Sequence, residues 1–244
     1  MSTIKTLVLS VFLIPISFYG GWTFHDYRTT TWHFDCPLPY KSVLQQYEAT
    51  GDETLYNKHK KDLITYYSTA YLSQVNTICR AARNYFATLC STKRSVIIFD
   101  VDDTALYNYH HMDKFEFIWR LQPELLKARE NNKPLVIKSV LVLYNWLKQL
   151  GFTFIFLTSR SAGNSGYEQT HRELSETGYT EFERLICMPD ELAFDKTVKT
   201  AQWKLSMRKE LADKYDIVGC VGDRDSDFEG GFTGYIVKLP NYLY

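Results

Sequence analysis

Apolar residues recur along this chain with two periods, and the places where one gives way to the other lay out the predicted elements. From Asp52 to about Thr88, Leu55, Leu63, Tyr66, Tyr67, Ala70, Tyr71, Val75 and Ile78 fall on one helical stripe. A shorter helix is predicted over Tyr40 to Tyr47, parted from it by Ala49-Thr50-Gly51-Asp52. The run Val96-Ile97-Ile98-Phe99 is short, continuous and rich in β-branched residues, as a strand buried on both faces would be. Pro134 is expected to open a helix to about Leu150, which Gly151 ends. Strand Phe152 to Leu157, helix Gly166 to Thr177, strand Arg184 to Cys187, helix Ala201 to Lys214 and strand Ile217 to Val221 follow. Strands alternating with helices predict an α/β fold, a parallel sheet with helices on both faces. Tyr107 to Asn132 carries no strand pattern, and there is no internal repeat or low-complexity linker.

At the N-terminus Lys5 precedes 19 uncharged residues, Thr6 to Phe24, centred on an apolar run from Leu7 to Ile16. This is the outline of a secretory signal; Pro15 and the missing amphipathic stripe argue against a core helix. Bulky Phe18 and Tyr19 obscure a cleavage site before Gly20 and Gly21, and the stretch is near the lower limit for spanning a bilayer. A cleaved signal and an uncleaved membrane anchor both stay open, and either implies export, to a periplasm or the outside. Cys36 lies too far along to mark a lipoprotein. The expected organisation is residues 1–24 as signal or anchor, 25–90 as a helical extension, and 91–244 as the core with a lid near 107–132.

Composition changes this picture little. With 244 residues, 45% hydrophobic and 23% charged, the chain can build one sizeable core. Lys plus Arg and Asp plus Glu stand at 28 each, so no long-range field captures a polynucleotide, whereas a mononucleotide is compatible. The five cysteines have no metal-binding spacing, and Cys187 and Cys220 read as buried small hydrophobes. In an exported protein Cys36 can pair with Cys79 or Cys90. Those two stand 11 apart on one predicted helix, roughly 16 Å along its axis, too far to bridge each other.

The chemistry lies at the ends of the apolar strands. The first run delivers Asp100 and Asp102 at its C-terminal end, where open α/β sheets bind ligands, and residues two apart share a face. A carboxylate attacking phosphorus gives an acyl phosphate that water can cleave, so Asp100 is the candidate nucleophile. The leaving group needs a proton and the second step an activated water, a role that suits Asp102. Two carboxylates about 4 Å apart repel by about 4 kcal/mol at an effective dielectric near 20, which calls for a divalent cation. Asp223 and Asp227, after Val218-Gly219-Cys220-Val221-Gly222, complete an all-oxygen set suited to Mg²⁺. Lys204 and the hydroxyl of Thr158, beside Ser159, can hold phosphoryl oxygens. Asp103 and Asp225 read as structural or solvated, and Arg208 and Lys209, on the helix of Lys204, as solvated basic residues.

In order and context these residues resemble the haloacid dehalogenase superfamily of phosphohydrolases, with its DxDxT, Ser/Thr, Lys and GDxxxD motifs. The likeness is nearest to the acid phosphatases of subfamily IIIB, which include plant vegetative storage proteins and bacterial class B-type enzymes. It is carried by Phe99-Asp100-Val101-Asp102-Asp103-Thr104-Ala105-Leu106-Tyr107-Asn108, by Trp203 to Leu211 around Lys204, and by the ending Lys238-Leu239-Pro240-Asn241-Tyr242-Leu243-Tyr244. Asp103 stands where that branch usually has Glu, the Ser after Lys204 is displaced by one, and Asp225 is an added carboxylate. The resemblance implies a Rossmannoid fold and a Mg²⁺-dependent acid phosphatase acting on small phosphomonoesters, nucleoside monophosphates among the candidates. It further implies phosphate contacts from Thr158, Ser159 and Lys204, and metal binding by Asp100, Asp102 through its backbone carbonyl, Asp223 and Asp227. The dehalogenase and phosphonate-cleaving branches lack the second acid, so Asp102 disfavours their chemistries.

The segment from Tyr107 to Asn132 stands where the superfamily places a lid. Its aromatic residues Tyr107, Tyr109, Phe115, Phe117 and Trp119 are expected to pack the lid onto the core or the N-terminal helices, with nucleobase stacking as the alternative. His110, His111 and His171 read as ordinary residues. Two other activities fit the same motifs: phosphotransfer to an alcohol through the same intermediate, and a storage or binding protein with the fold and little activity. The latter predicts a damaged nucleophile, and Asp100 is present.

Overall fold

A computed structural model describes residues 40–109, 134–163, 166–193 and 199–243. Three helices, α1 (Tyr40–Thr50), α2 (Glu53–Thr69) and α3 (Tyr71–Phe86), lead into β1 (Ser95–Phe99). Then come α4 (Lys138–Gln149), β2 (Thr153–Ser161), α5 (Gly166–Glu176), β3 (Arg184–Met188), a short α6 (Asp190–Ala193), α7 (Thr200–Ala212), β4 (Asp216–Gly222) and β5 (Tyr235–Lys238). The strands form one parallel sheet in the order β3-β2-β1-β4-β5.

This is the expected α/β architecture, and β1 shows why the chain adopts it. All five of its residues are buried. Ile97 and Phe99 join Phe154, Phe156 and Val221 in a core shared with α2, α3 and α4, whereas Val96 and Ile98 join Ile155, Leu157 and Trp203. Alternate residues of a strand face opposite ways, so a strand apolar throughout is stable only with cover on both faces.

From β1 the chain moves outward through β2 and β3, then returns to the other side of β1 for β4 and β5. The direction of winding therefore reverses between β1 and β4, and a crevice opens beyond their C-terminal ends. The Asp100 N–H donates to the Val221 carbonyl at 2.9 Å, holding the two strand ends together at the crevice floor.

Several predicted boundaries are corrected. The long helix from Asp52 bends at Ala70 into α2 and α3, although the ladder runs through, with Ala70 N–H to Tyr66 O at 2.8 Å and Gln74 N–H to Ala70 O at 3.0 Å. Ser68 and Thr69 return hydroxyl hydrogen bonds to Ile64 O and Thr65 O, a habit that bends helices. The helix expected from Pro134 starts at Lys138 instead, because the preceding residues pair with the chain after the first motif: Tyr107 N–H donates to Leu135 O and Ile137 N–H to Ala105 O. Cys90 lies beyond α3, exposed in the following loop, not on one helix with Cys79; both are free thiols. Strand β5 has no counterpart among the predicted elements, being a four-residue edge strand with alternating burial.

Tyr107 and Tyr109 pack as expected onto the N-terminal helices, Tyr107 stacking on Tyr71 with ring centroids 5.5 Å apart and Tyr109 on Tyr67 at 4.6 Å. The other named lid residues, Cys36 and the N-terminal apolar stretch lie outside the described residues. No helix among the described residues is long and apolar enough to cross a membrane.

Candidate active site

Asp100 follows the last residue of β1 and Asp223 the last residue of β4, so both carboxylates stand over the crevice between neighbouring strands. Asp227 closes the short 3-10 turn Asp225–Asp227 after β4, its Oδ2 accepting from Arg224 N–H at 2.9 Å. Oxygens of Asp100, Asp223 and Asp227 lie within 4.8 Å of one another, and all three residues are buried. Lys204, on α7, reaches in beneath them and donates to Asp100 Oδ1 at 2.5 Å and Asp227 Oδ1 at 2.6 Å. A helix position that alone reads as solvated is thus 3% exposed.

Burying three carboxylates beside one ammonium shifts their protonation. Burial, opposed by Lys204 and reinforced by Asp227 and Asp102, pushes Asp100 up to about 7. Asp223 is held well above the carboxylate range, by burial first and then by Asp100, Asp227 and Asp103. Burial works against the Lys204 ammonium, but the Asp100 and Asp227 carboxylates outweigh it and hold its proton above the ordinary range. With all carboxylates ionised, the cluster keeps a net double negative charge that Lys204 does not cancel. The donor set, oxygen throughout, fits one hard divalent cation.

Asp102 faces a different partner. Arg160 grips its carboxylate with two parallel bonds, Nε to Oδ2 and Nη2 to Oδ1, both at 2.9 Å. Asn108 Nδ2 donates a further bond to Oδ1 at 2.8 Å. Arg160 is itself held from α5, its Nη1 donating to Glu173 Oε2 at 2.6 Å and to Thr170 Oγ1 at 3.3 Å. Asp102 and Glu173 outweigh burial in keeping the guanidinium charged. Arg160, Asn108 and Glu173 also line a small pocket together with Leu106, Tyr107 and Leu135.

Thr158 is buried in the C-terminal half of β2, with Oγ1 accepting from Arg160 N–H at 3.2 Å, and Ser159 beside it is exposed. The fold therefore brings Asp100, Lys204, Asp223 and Asp227 into direct contact or near contact, with Asp102 in the turn after β1 and Thr158 within the neighbouring β2 joined through Arg160. Arg160, Asn108 and Glu173 are not among the candidate residues that the motifs mark. One signal was available for Arg160: it lies two residues after Thr158 and so shares its face of the strand.

The supporting residues sort differently from expectation in one case. Arg208, read as solvated, is fully buried and donates to the carbonyls of Gly231 at 3.0 Å, Asp227 at 2.8 Å and Glu229, pinning the loop that carries Asp227. Asp103 is structural, as one of its two readings had it: buried with φ 54, it accepts from Asn108 N–H at 2.9 Å and shapes the turn after β1. Asp225 is solvent-facing and pairs with Lys238 at 3.0 Å. Gly222 is required by close approach, since a Cβ there would lie 2.3 Å from Asp227 Oδ2 and 2.6 Å from Asp227 Cβ. His171 is exposed on α5.

Comparison with known proteins agrees with this geometry. The Stem 28 kDa glycoprotein of Glycine max is 30% identical over 180 residues, covering 71% of this chain and 69% of that protein. Acid phosphatase 1 of Solanum lycopersicum is 32% identical over 156 residues (62% and 59%), and Vegetative storage protein 1 of Arabidopsis thaliana is 31% identical over 160 residues (62% and 55%). The aligned part thus spans between 55% and 69% of these relatives' lengths. The class C acid phosphatase of Bacillus anthracis, solved with tungstate bound, shares the fold with a TM-score of 0.56 at 18% identity, covering 76% of this chain and 85% of that one. Residues 41–244 match the family described as HAD superfamily, subfamily IIIB (Acid phosphatase). The chain therefore belongs to subfamily IIIB of the haloacid dehalogenase superfamily, a family of acid phosphatases, which places it among the phosphoric monoester hydrolases.

Proposed function

We propose that this protein is a Mg²⁺-dependent phosphatase of small phosphomonoesters, nucleoside monophosphates among them, working through an acyl phosphate on Asp100. The observation that carries the reading is the contact between Asp100 and Lys204 inside the Asp100, Asp223 and Asp227 cluster. A carboxylate at a strand end, paired with a buried ammonium and flanked by cation-binding oxygens, is arranged for attack on an anionic phosphoryl group.

Asp100 Oδ attacks phosphorus and the leaving oxygen departs with a proton from Asp102; water, deprotonated by Asp102, then cleaves the acyl phosphate. Lys204 has three N–H donors, and two are engaged by Asp100 and Asp227, so the third is available for a phosphoryl oxygen. Thr158 and Ser159 supply hydroxyls on the neighbouring strand end. Asp100, Asp223, Asp227 and the Asp102 carbonyl hold Mg²⁺, which when bound offsets the charge of the carboxylates and polarises a phosphoryl oxygen. The Asp102 carboxylate is oriented by Arg160 and Asn108, and proton transfer requires one of its oxygens to exchange a bond to these donors for the proton.

We assign residues 1–24 to an export signal or anchor, 25–90 to a helical extension, and the segment near 107–132 to a lid. The test is phosphate release from p-nitrophenyl phosphate and a panel of nucleoside monophosphates, with Mg²⁺ or with excess EDTA, beside Asp100→Asn. Metal-dependent turnover lost in the variant is expected. A folded protein that releases no phosphate from any ester between pH 4 and 8 would transfer the reading to storage or binding.

A further inference from the structure

The C-terminal segment Lys238 to Leu243 has no part in the mechanism above, yet the structure sets it against the cation site. Leaving β5, Leu239 N–H donates to Gly222 O at 2.8 Å, and Leu239 and Leu243 are fully buried in the main core. Between these two anchors Asn241 turns toward the crevice, and its Nδ2 donates to Asp223 Oδ2. Its Oδ1 accepts from Leu243 N–H at 2.8 Å, which settles which end of the amide is the donor. Thr104 Oγ1 donates to the other Asp223 oxygen at 3.2 Å, and Lys238 Nζ donates to the Asp223 carbonyl at 2.6 Å.

We propose that Asn241 is a positioning residue for the cation, orienting the Asp223 carboxylate from the C-terminal segment so that its oxygens converge with those of Asp100 and Asp227. A carboxylate can rotate about its last bond, and a ligand free to do so must be ordered each time a cation binds. A donor fixed by its own second hydrogen bond removes that freedom in advance. Asn241 is a good anchor because its backbone neighbours are themselves held: Leu243 by burial and Tyr242 by its N–H, which donates to Tyr67 Oη on α2 at 3.1 Å. The C-terminal segment thereby ties α2 to the Asp223 loop, on the side of the site away from Arg160. Partners that orient a metal ligand in this way typically contribute 10- to 100-fold to affinity.

This inference rests on the cation site of the proposed function. The experiment is titration of the full chain with Mn²⁺, read as loss of the free-ion EPR signal, followed by competition with Mg²⁺. Wild type is compared with Asn241→Leu, which keeps the size of the side chain and removes the donor, and with Asn241→Ser, which keeps a hydroxyl donor. The Kd for Mn²⁺ is expected to rise about 10- to 100-fold in Asn241→Leu and by less in Asn241→Ser. The thermal midpoint of the metal-free protein, measured in parallel, is expected to move little. An unchanged Kd in folded Asn241→Leu overturns the assignment, as does a fall in the metal-free midpoint with Kd within twofold of wild type, the signature of a purely structural role. If Asn241→Leu does not fold, an unchanged Kd in Asn241→Ala overturns it in the same way. Failure of wild type itself to bind Mn²⁺ or Mg²⁺ would remove the site of the preceding section, a result distinct from either.

Discussion

Arg160 and Asp102 form a two-bond ion pair, guanidinium Nε and Nη2 facing the two carboxylate oxygens at 2.9 Å each, although 58 residues separate them along the chain. The fork fixes the plane of the carboxylate assigned to proton transfer, and Glu173 fixes the fork. Asp102→Asn is expected to slow both chemical steps by about 10²- to 10⁴-fold, less in the first step for a good leaving group. Arg160→Lys keeps the charge but not the planar fork, and its loss of kcat is expected to be about 10- to 100-fold, a part of the whole acid–base contribution. Steady-state kinetics over a series of esters with graded leaving groups checks both. Equal slowing for good and poor leaving groups would show that neither residue serves proton transfer.

Burial pushes Asp100 up to about 7 in the metal-free protein, against about 3.9 for Asp in an unfolded chain. Between those values the folded state binds more protons, so stability falls as pH rises through about 4 to 7. Asp223, raised for the same first reason, acts in the same direction. Lys204 is held above its ordinary value of about 10.4, so the stability it contributes is already complete throughout this window. The metal-free midpoint of wild type is expected to fall relative to Asp100→Asn from pH 4 to pH 7, and Mg²⁺ to raise it more at pH 7 than at pH 5. Thermal melts at both pH values with and without Mg²⁺ decide this, and a pH-independent difference between the two proteins would contradict it. Activity on the acid side requires the cation to bring Asp100 below its metal-free value.

Lys204 is the ammonium paired directly with Asp100 and Asp227. Lys204→Met leaves them buried without it, a change that typically costs about 3–5 kcal/mol. Chemical denaturation of the metal-free variant at pH 7.5 is expected to show a loss of that order, and a smaller one at pH 5, where the carboxylates take up protons. Turnover should be lost at either pH.

Gly222 leaves no room for a side chain beside Asp227. Gly222→Ala is expected to displace Asp227 from Lys204 and weaken Mg²⁺ binding about tenfold or more, an effect of the size seen when a ligand's supports are removed. Calorimetric titration at pH 7.5 measures it, and an unchanged Kd would mean that the Asp227 loop moves aside at no cost to the site.

The sheet and the groups at its strand ends were legible in the chain because both obey local rules. A run such as Val96 to Phe99, apolar at every position, has to be a strand covered on both faces, and Asp100, Thr158 and Asp223 stand at or just beyond the C-terminal ends of such runs, where a parallel sheet opens its crevice. Strand β5 escaped notice because four residues of edge strand carry no period long enough to recognise. Lys204 and Arg208, four apart, share a helix face with buried Leu211 while Lys209 is exposed, but a face carrying two cations does not by itself read as a buried one. Their burial follows from where α7 packs under the Asp227 loop. The same holds for Arg160 on Asp102, Asn108 beside it and Asn241 on Asp223: each is a polar side chain whose partner is chosen by distance in space. The sequence by itself determined which strands are buried and which carboxylates end them, since period and adjacency are properties of neighbours along the chain. Which cation faces which carboxylate was decided only by tertiary structure, because an ion pair forms between whatever charges packing brings within reach, and packing is a property of the whole fold.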